Sequence, residues 1–487
     1  MKRARMVIAA VGAATGCGVD GVNRATNVSN VPGYLQGNCS AANPSGGVKA
    51  VAAPKNCVEA TQAGVIRALR NCDPANSLDY NFNYVTGDPP NVNADSYQVL
   101  RYDPLSGRWF AFGYHTQEYP YDGSYRVQVS YQGGDPWDPI SGQWCTARFH
   151  LTVQPFCGTL KHVIPDGGSM AVGVSSDKLV VASMLTYSPN DDPPLCDYWS
   201  DGIESTVVTI DKAALISACD SSLQPGYDII DLSTISSIRY PASGSARTVL
   251  QPSWGQDMDG NVFLTGVNEA ADPASNLKIY KISGPATAPT FSLTTRSPSP
   301  SFKDSGGALQ PGFPVYALAG SGGKRIVDSV KRGSTVWTAQ TQSCTPTGDS
   351  TARSCVRVMA INTSNSSISQ NIMLSGPNLY YFAPAITTDT YGDLMLVFNR
   401  SGVTPAAEYV GIWASGRRPS DAPNTLRAPQ LLKGSDFTYT SCPLWSRHSA
   451  AAIQDDDVTF NVGGQYATSA TEWGTWIETI AQSSLPN

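Results

Sequence analysis

The stretch PLWSRHSAAAIQDDDVTF, residues 443–460, brings together side chains that could carry chemistry. Arg447 and His448 stand just before a run of small residues, and three aspartates, residues 455–457, follow it. The chain has only four histidines, so this combination raises three hypotheses: an active site, a metal site, or one repeat of a larger scaffold. The elements that surround the stretch must decide among them.

Composition and charge narrow the function classes. The chain has 487 residues, of which 15% are charged, and its net charge is −6. Nucleic-acid binders carry a basic face or stripe, so we expect no nucleic-acid partner. Hydrophobic residues make up 41% and glycine and proline are plentiful, while long helix-periodic stretches are scarce. This mixture predicts an all-β fold of short strands joined by turns.

The N-terminus has the layout of an export signal. Three basic residues precede an apolar stretch from Met6 to about Thr15, which is too short to anchor the chain across a bilayer. The stretch ends in ATGC, residues 14–17, which resembles a bacterial lipoprotein cleavage box with Ala14 in place of the usual large aliphatic residue. We predict a signal peptide at residues 1–17, with lipidation at Cys17 or ordinary cleavage nearby as alternatives. The protein is then exported, to the bacterial cell envelope or the extracellular space.

The cysteines favour the same compartment. Without Cys17 the eleven cysteines become an even number, as a set of disulfides requires in an oxidising compartment. None lies in a C-x-x-C pair, which weakens zinc and thioredoxin-type interpretations. The stretch CTPTGDSTARSC predicts a strand-turn-strand tip closed by a Cys344–Cys355 disulfide. The sequence leaves the other pairings open.

Residues 18–78 differ from the rest of the chain because they are rich in Gly, Asn, Ser and Ala. We interpret them as a tether and a disulfide-pinned N-terminal cap. Within the cap, VEATQAGVIRALR lies between Cys57 and Cys72 and places Val58 and Ile66 near one helical face. This spacing predicts one short helix.

From about residue 80 a motif recurs: a strand of small residues, a tight polar turn, and a strongly hydrophobic strand. The six turns centre near Gly107, Asp177, Gly260, Gly333, Gly392 and Asp456. A period of roughly 70 residues predicts radial repetition, so we expect a six-bladed β-propeller at residues 79–487, with seven blades or another all-β fold as alternatives. Innermost strands converge at a propeller axis, which explains small-residue strands such as SMAVGV and HSAAAI.

These repeats resemble the sialidase-like superfamily of β-propellers. TTDTYGDLML and GQDMDGNVF are similar to its Asp-box, with Met395 replacing the terminal aromatic residue of the first. YDPLSGRWF, GRRPSDAPNTLRAPQLLKGS and GQYATSATEWGTWI resemble a group of exported bacterial propellers, and this resemblance spans residues 95–480. It implies a six-bladed fold and no particular reaction. Where the group has Arg-Trp-Gly-Asp-Tyr-Ser this chain has LWSRHS, and Gln465 replaces an acidic residue, so the roles of that Asp and Glu do not carry over.

No complete catalytic set is visible in the sequence. The arginine triad, Tyr–Glu pair and aspartic acid of a sialidase are not recognisable, and glycoside hydrolysis needs two facing carboxylates. No G-x-S-x-G elbow occurs, and His115, His150, His162 and His448 lack metal-ligand spacing. The aspartates fall in turns, where such side chains bond their own backbone.

One acidic turn has an alternative interpretation as a metal site. Asp257, Asp259 and Asn261 place carboxylate and amide oxygens on one tight loop, as Ca²⁺ ligands require. No other cofactor is expected.

Ligand candidates are the residues that we place at the starts of the innermost strands, which cluster on one face around a propeller axis. They are His162, Trp254, Tyr380, Tyr381, Trp445, Arg447 and His448. Aromatic rings beside arginine suit stacking on sugars or holding a peptide. Trp254 and Trp445 could instead plug the channel. The acidic turn at residues 455–457 is expected on the opposite face from Arg447 and His448.

These observations predict an exported sialidase-like propeller that binds or processes an extracellular glycan or protein ligand at its funnel face. We expect a monomer that touches a membrane only through an N-terminal lipid. The alternatives are a glycoside hydrolase or polysaccharide lyase acting in the funnel, and a non-catalytic surface scaffold or adhesin.

Overall fold

The computed structural model is nearly all β, which confirms the all-β part of the predicted fold. Among the described residues one α-helix, Lys212–Ser221, and one short 3-10 helix, Leu232–Thr234, are the helical elements, and no helix there is long and apolar enough to cross a membrane. The structure describes residues 24–26, 56–60, 65–70, 77–81, 99–116, 123–130, 144–150, 154–156, 159–161, 163–187, 205–221, 229–239, 248–269, 271–318, 323–404, 408–440, 445, 449–454, 457–470, 473–481 and 485.

Six antiparallel groups of four strands follow one another along this described chain, and we call them the first to the sixth unit. Trp254–Gly255 joins the second and fourth units into one nine-stranded sheet. The first unit contains Val99–Asp103, Arg108–Thr116, Gly123–Ser130 and Trp144–His150, and the second contains Val163–Val174, Lys178–Tyr187, Ser205–Asp211 and Ser236–Arg239. The third contains Thr248–Pro252, extended by Trp254–Gly255, then Val262–Asn268, Leu277–Ser283 and Thr290–Arg296.

The remaining three units have the same order of strands. The fourth contains Ile326–Arg332, Thr335–Cys344, Arg353–Asn362 and Ile368–Leu374, and the fifth contains Leu379–Thr388, Leu394–Gly402, Glu408–Arg417 and Gln430–Lys433. The sixth contains Ala450–Ile453, Thr459–Ala467 and Trp473–Ala481, completed by Arg24–Thr26. Arg24 pairs with Ile477 and Thr26 with Thr475, so a strand from the start of the chain finishes the sheet made at its end.

Each predicted hairpin forms the first two strands of one unit, and this part of the sequence interpretation is confirmed. We call the first strand of each unit its inner strand. The turns follow at or beside the predicted positions, with Gly107, Gly333 and Gly392 at positive φ angles of 66°, 56° and 82°. These backbone angles favour glycine because other side chains clash there. Asp456 lies outside the described residues.

The inner strands approach one another closely, which accounts for their small residues. Trp254 pairs in parallel with Val174 of the second unit and with Val330 of the fourth. A Cβ on Gly255 would lie 2.6 Å from the carbonyl oxygen of Val174, and one on Gly173 would lie 2.5 Å from that of Ser253. Only glycine permits this backbone separation.

The hydrophobic core is divided among the interfaces between successive units. Phe110 and Val127 of the first unit pack with Val172 and Leu179 of the second. Comparable buried clusters join the second to the third unit, the third to the fourth, the fourth to the fifth and the fifth to the sixth. Burial of apolar area between neighbouring sheets therefore holds the units in sequence.

The helix predicted within residues 58–70 is wrong. Asn56–Ala60 and Val65–Arg70 are antiparallel strands, and Ser77–Asn81 adds a third strand to their sheet. β-branched Val65 and Ile66 favour strands, and pairing with a segment farther along the chain outweighs the local helical spacing. Three smaller elements complete the described strands. They are the pair Gln154–Phe156 with Thr159–Lys161, the pair Ala308–Gln310 with Phe313–Leu318, and Ile229–Asp231 parallel to Trp144–His150.

Two disulfides are described, and no cysteine whose side chain the structure describes is free. Cys344–Cys355 closes the hairpin tip between the second and third strands of the fourth unit, as predicted. Cys145–Cys219 joins the last strand of the first unit to the helix of the second unit, a long-range pairing that the sequence did not reveal. Disulfide bonds of this kind are typical of oxidising compartments.

Candidate functional site

A small cavity lies between the inner strands, at the end where these strands run into their turns. Its volume is about 40 Å³, and its lining comes from five of the six units, including Arg101, Trp254, Asp328, Thr387 and Ala451. We call this space the axial cavity. We call the face on which the inner strands end the turn face. The opposite face, on which they begin, is the strand-start face.

An ion pair crosses the axial cavity. Arg101 Nη2 of the first unit donates to Asp328 Oδ1 of the fourth unit at 2.8 Å. The backbone N–H groups of Ile386 and Ser329 donate to Asp328 Oδ2 and Oδ1, each at 2.9 Å. The Arg101 guanidinium also lies 5.8 Å from the Trp254 ring centroid. Both oxygens of the one carboxylate in the cavity lining therefore already accept hydrogen bonds from the protein.

Sequence reasoning missed Arg101 and Asp328, although Asp328 carried a signal. Asp328 interrupts the apolar pattern of IVDSV in an inner strand, and its side chain is only 5% exposed. A carboxylate in a buried strand requires a cationic or hydrogen-bonding partner. The partner lies 227 residues away, so the sequence could not identify it.

Trp254 lines the axial cavity on the turn face rather than standing at a strand start. It follows Thr248–Pro252 and lies at the end of the third inner strand, just before the acidic turn. The predicted placement at the strand start is therefore corrected. The side chain is 6% exposed and packs with the cluster between the first two units. This position fits the alternative in which the indole fills the channel.

Tyr380 and Tyr381 lie at the start of the fifth inner strand, as predicted, but both are buried with 4% exposure. Tyr381 packs against Phe398 with ring centroids 5.6 Å apart, and burial raises the pKa of its hydroxyl. The two side chains therefore point into different interfaces between units, where they form part of the core.

Trp445 is fully buried. Its indole N–H donates to Asn399 Oδ1 at 3.3 Å, and its ring meets Tyr439 edge-on at 5.1 Å. In this conformation the indole has no exposed surface on which a sugar could stack. His162, Arg447 and His448 lie outside the described residues, and their roles stay predictions.

The acidic turn at residues 257–261 contains a cation supplied by the protein. Lys331 Nζ lies 2.8 Å from Asp257 Oδ1 and 3.1 Å from Asp259 Oδ2. Burial raises the pKa of Asp259, but hydrogen bonds from Asn261 and Lys331 outweigh this effect and hold the pKa below its usual range. Among the described residues no group of three or more His, Cys, Asp or Glu side chains is arranged to hold a metal ion. Ca²⁺ at this turn stays a prediction, and such an ion would compete with Lys331.

The strand-start face carries a rigid polar cluster that sequence reasoning did not identify. Asp349, in the disulfide-closed tip, pairs with the Arg353 guanidinium and accepts the Asn378 N–H at 3.0 Å. Arg353 Nη1 donates to the Tyr380 hydroxyl at 2.5 Å, and its guanidinium lies 4.9 Å from that ring centroid. The Cys344–Cys355 loop is thereby fixed to the start of the fifth inner strand.

This cluster predicts a pH dependence of stability. Hydrogen bonds from Arg353 and from the Asn378 and Thr351 N–H groups hold the pKa of Asp349 well below its usual range. A carboxyl with a lowered folded-state pKa stabilises the protein above its unfolded pKa of about 3.9 and loses that contribution as the pH falls further. We therefore expect the difference in free energy of unfolding between the wild type and Asp349→Asn to shrink below about pH 4 in urea denaturation.

The control for this experiment is Asp436→Asn, because Asp436 is exposed. The free energy of unfolding of Asp436→Asn should differ little from that of the wild type at every pH. A difference for Asp349→Asn that stays constant down to about pH 2 would show that the paired carboxylate does not cause the pH dependence.

Comparisons with known proteins give the following similarities. No known protein family matches the chain, and no curated protein is significantly similar to it. Among solved structures, an ulvan lyase of polysaccharide lyase family PL25 is 12% identical, with 77% of this chain and 80% of that chain covered and a TM-score of 0.38. The α-L-arabinanase of Penicillium chrysogenum is 11% identical over 82% and 96%, with a TM-score of 0.37. The microbial sialidase Hz136 is 10% identical over 88% and 74%, with a TM-score of 0.37. These values are too low to assign an activity to this chain.

Proposed function

We propose that the chain is an exported six-bladed β-propeller that binds an extracellular glycan or protein ligand at its strand-start face. The six four-stranded units are its blades. Pairing of Arg24–Thr26 with Trp473–Ala481 supports ring closure, because it joins the two ends of the chain in one blade. The parallel contacts of Trp254 with Val174 and Val330 support convergence of the inner strands at an axis.

The observation that carries this proposal is the filled axis on the turn face. Arg101, Asp328 and Trp254 leave a cavity of about 40 Å³, whereas pockets that hold small molecules measure about 300–1,000 Å³. A cavity of about 10–15 Å³ is large enough for one water molecule. The axial cavity therefore suits water and is too small for a sugar ring or a peptide.

The strand-start face supports such binding in two ways. The buried Asp349–Arg353–Tyr380 cluster fixes the Cys344–Cys355 loop to the start of the fifth inner strand, so a ligand that contacts the exposed part of this loop would lose little by ordering it. Arg447 and His448 precede the sixth inner strand in the sequence and His162 precedes the second, so we propose them as ligand contacts of this face. Arginine and imidazole groups suit hydroxyl-rich or acidic ligands.

The state of the axial carboxylate argues against hydrolysis in the axial cavity. Asp328 is ion-paired and accepts two backbone N–H groups, so it is unsuited to donate a proton or attack an anomeric carbon. Glycosidases need two carboxyl groups on opposite sides of the scissile bond. In the described cavity lining Asp328 is the one carboxylate.

The test is a glycan array probed with purified residues 18–487, as wild type and as Arg447→Ala and His448→Ala variants. We expect binding of the wild type and a loss of about tenfold in affinity for each variant, the effect of removing one good contact. Leu293→Ser is the control because this exposed residue lies on an outer strand. Unchanged binding in both variants would reject the site. Release of shortened products would favour the glycosidase or lyase alternative.

A further inference from the structure

The tips of the turns that follow the inner strands carry exposed apolar side chains. Met258 is 79% exposed and Tyr391 71% exposed, and Leu105 and Val458 are each 36% exposed. These are four of the eight exposed large apolar side chains among the described residues. Turn tips ordinarily carry Gly, Asn, Asp or Ser. Methionine and tyrosine, in contrast, are enriched at protein interfaces.

Hydrogen bonds between neighbouring turns hold these tips on one face. The Gly333 N–H donates to Asp257 Oδ2 at 2.7 Å, which links the turns of the third and fourth units. The Thr390 N–H donates to the Asp457 carbonyl at 3.3 Å, which links the turns of the fifth and sixth units. Tyr391 and Val458 are the next residues in these two turns. The turn of Leu105 belongs to the same face, because the adjacent Pro104 lines the axial cavity.

In the two lysine ion pairs of this face the carboxylates lie outward and the ammonium groups inward, whereas in the Arg418–Asp393 pair the guanidinium is the more exposed group. The Asp177 side chain is 49% exposed, while its partner Lys178 is fully buried. The Asp259 side chain is 39% exposed, while Lys331, which it shares with Asp257, is 1% exposed. Asp257 and Asp259 flank Met258 and share the single buried ammonium group of Lys331, so an approaching molecule meets this apolar tip beside an excess of negative charge.

We infer that the turn face docks a protein segment whose apolar side chains are flanked by lysine or arginine. Apolar tips from four different turns can bury apolar surface of a partner but can form few hydrogen bonds with it. They therefore suit an apolar partner better than a hydroxyl-rich glycan. The excess carboxylate beside Met258 complements a basic residue next to an apolar side chain of the partner. This surface lies on the opposite face from the ligand site proposed above, so an experiment can reject either proposal without affecting the other.

The probe for this inference is a fluorescent synthetic peptide of alternating leucine and lysine, measured by anisotropy with the purified protein. Its comparison peptides replace all lysines with glutamate, or all leucines with serine. We expect saturable binding of the leucine–lysine peptide alone. The Met258→Ser/Tyr391→Ser double variant should bind this peptide at least about tenfold more weakly, as for removal of anchor residues. Because both side chains are exposed, the fold should be retained, which a circular dichroism melt checks.

The matched control is the Leu293→Ser/Leu431→Ser double variant, which removes two exposed apolar side chains from outer strands and should bind as the wild type does. Equal affinity of the wild type and the Met258→Ser/Tyr391→Ser variant would overturn the inference, as would equal binding of the glutamate peptide. Binding of phosphatidylcholine vesicles that the same variant loses would also overturn it, because the partner would then be a lipid surface. If the Met258→Ser/Tyr391→Ser variant keeps the glycan-array signal, the turn face and the strand-start face bind their ligands independently.

Discussion

Replacement of Asp328 with alanine is expected to lower the free energy of unfolding by about 3 kcal/mol, the lower end of the range for breaking a buried ion pair. The Asp328 side chain is 5% exposed, and its two oxygens accept from Arg101 and from the N–H groups of Ser329 and Ile386. The variant leaves all three donors without this acceptor at the point where the first, fourth and fifth units meet. The lower end applies because the Arg101 side chain remains 21% exposed, so water compensates part of the loss.

Urea denaturation of a double-mutant cycle separates the ion pair from the other contacts of Asp328. In the Asp328→Ala background, Arg101→Met removes the uncompensated guanidinium and should recover part of the loss. A cost below about 1 kcal/mol for Asp328→Ala would place this pair among exposed ion pairs. Such a small cost would contradict the conclusion that the Arg101–Asp328 ion pair holds the first and fourth units together across the axial cavity.

Replacement of Gly255 with alanine is expected to cost about 2–3 kcal/mol, the upper range for overpacking. The added Cβ would lie 2.6 Å from the Val174 carbonyl oxygen, which is a backbone atom of a neighbouring inner strand. That strand cannot move aside alone, because Val174 is also paired with Leu179 in its own unit. The clash therefore separates two units at the axis, and the loss is measured as a lower urea midpoint.

Gly306→Ala is the control for this clash, because a Cβ on Gly306 meets nothing within 4 Å. It should leave the midpoint nearly unchanged. If Gly255→Ala and Gly306→Ala behaved alike, the second and third inner strands would not approach as closely as described, and convergence at an axis would lose its support.

The hairpins could be predicted from the sequence because their signals are local. Each turn has glycine or aspartate at its centre, and the alternation from small to bulky residues occurs within one hairpin. The Cys344–Cys355 disulfide was predictable for the same reason, since 11 residues separate its cysteines around one turn. For residues 58–70 the local spacing predicted a helix, whereas Asn56–Ala60 and Val65–Arg70 form paired strands.

The site was less predictable because its contacts are long-range. The tie between Arg101 and Asp328 joins strands of different units, and no periodicity in the sequence brings those two positions together. Trp445 and Tyr380 were singled out as aromatic residues near strand starts. Both are buried in one apolar cluster, and their polar atoms bond Asn399 and Arg353, which neighbouring elements contribute. The position of Lys331 beside the acidic turn is likewise a long-range contact that the sequence does not reveal.

The measurement that tests the central claim most directly is hydrogen–deuterium exchange of the wild-type protein with and without a glycan identified on the array. The central claim is that the ligand binds at the strand-start face while the turn-face end of the axis is closed. We predict slower exchange on binding at residues 345–352 and 376–381, with residues 101–107 and 386–393 unchanged. Slower exchange confined to residues 101–107 and 386–393 would contradict the account, because the ligand would then occupy the axis on the turn face.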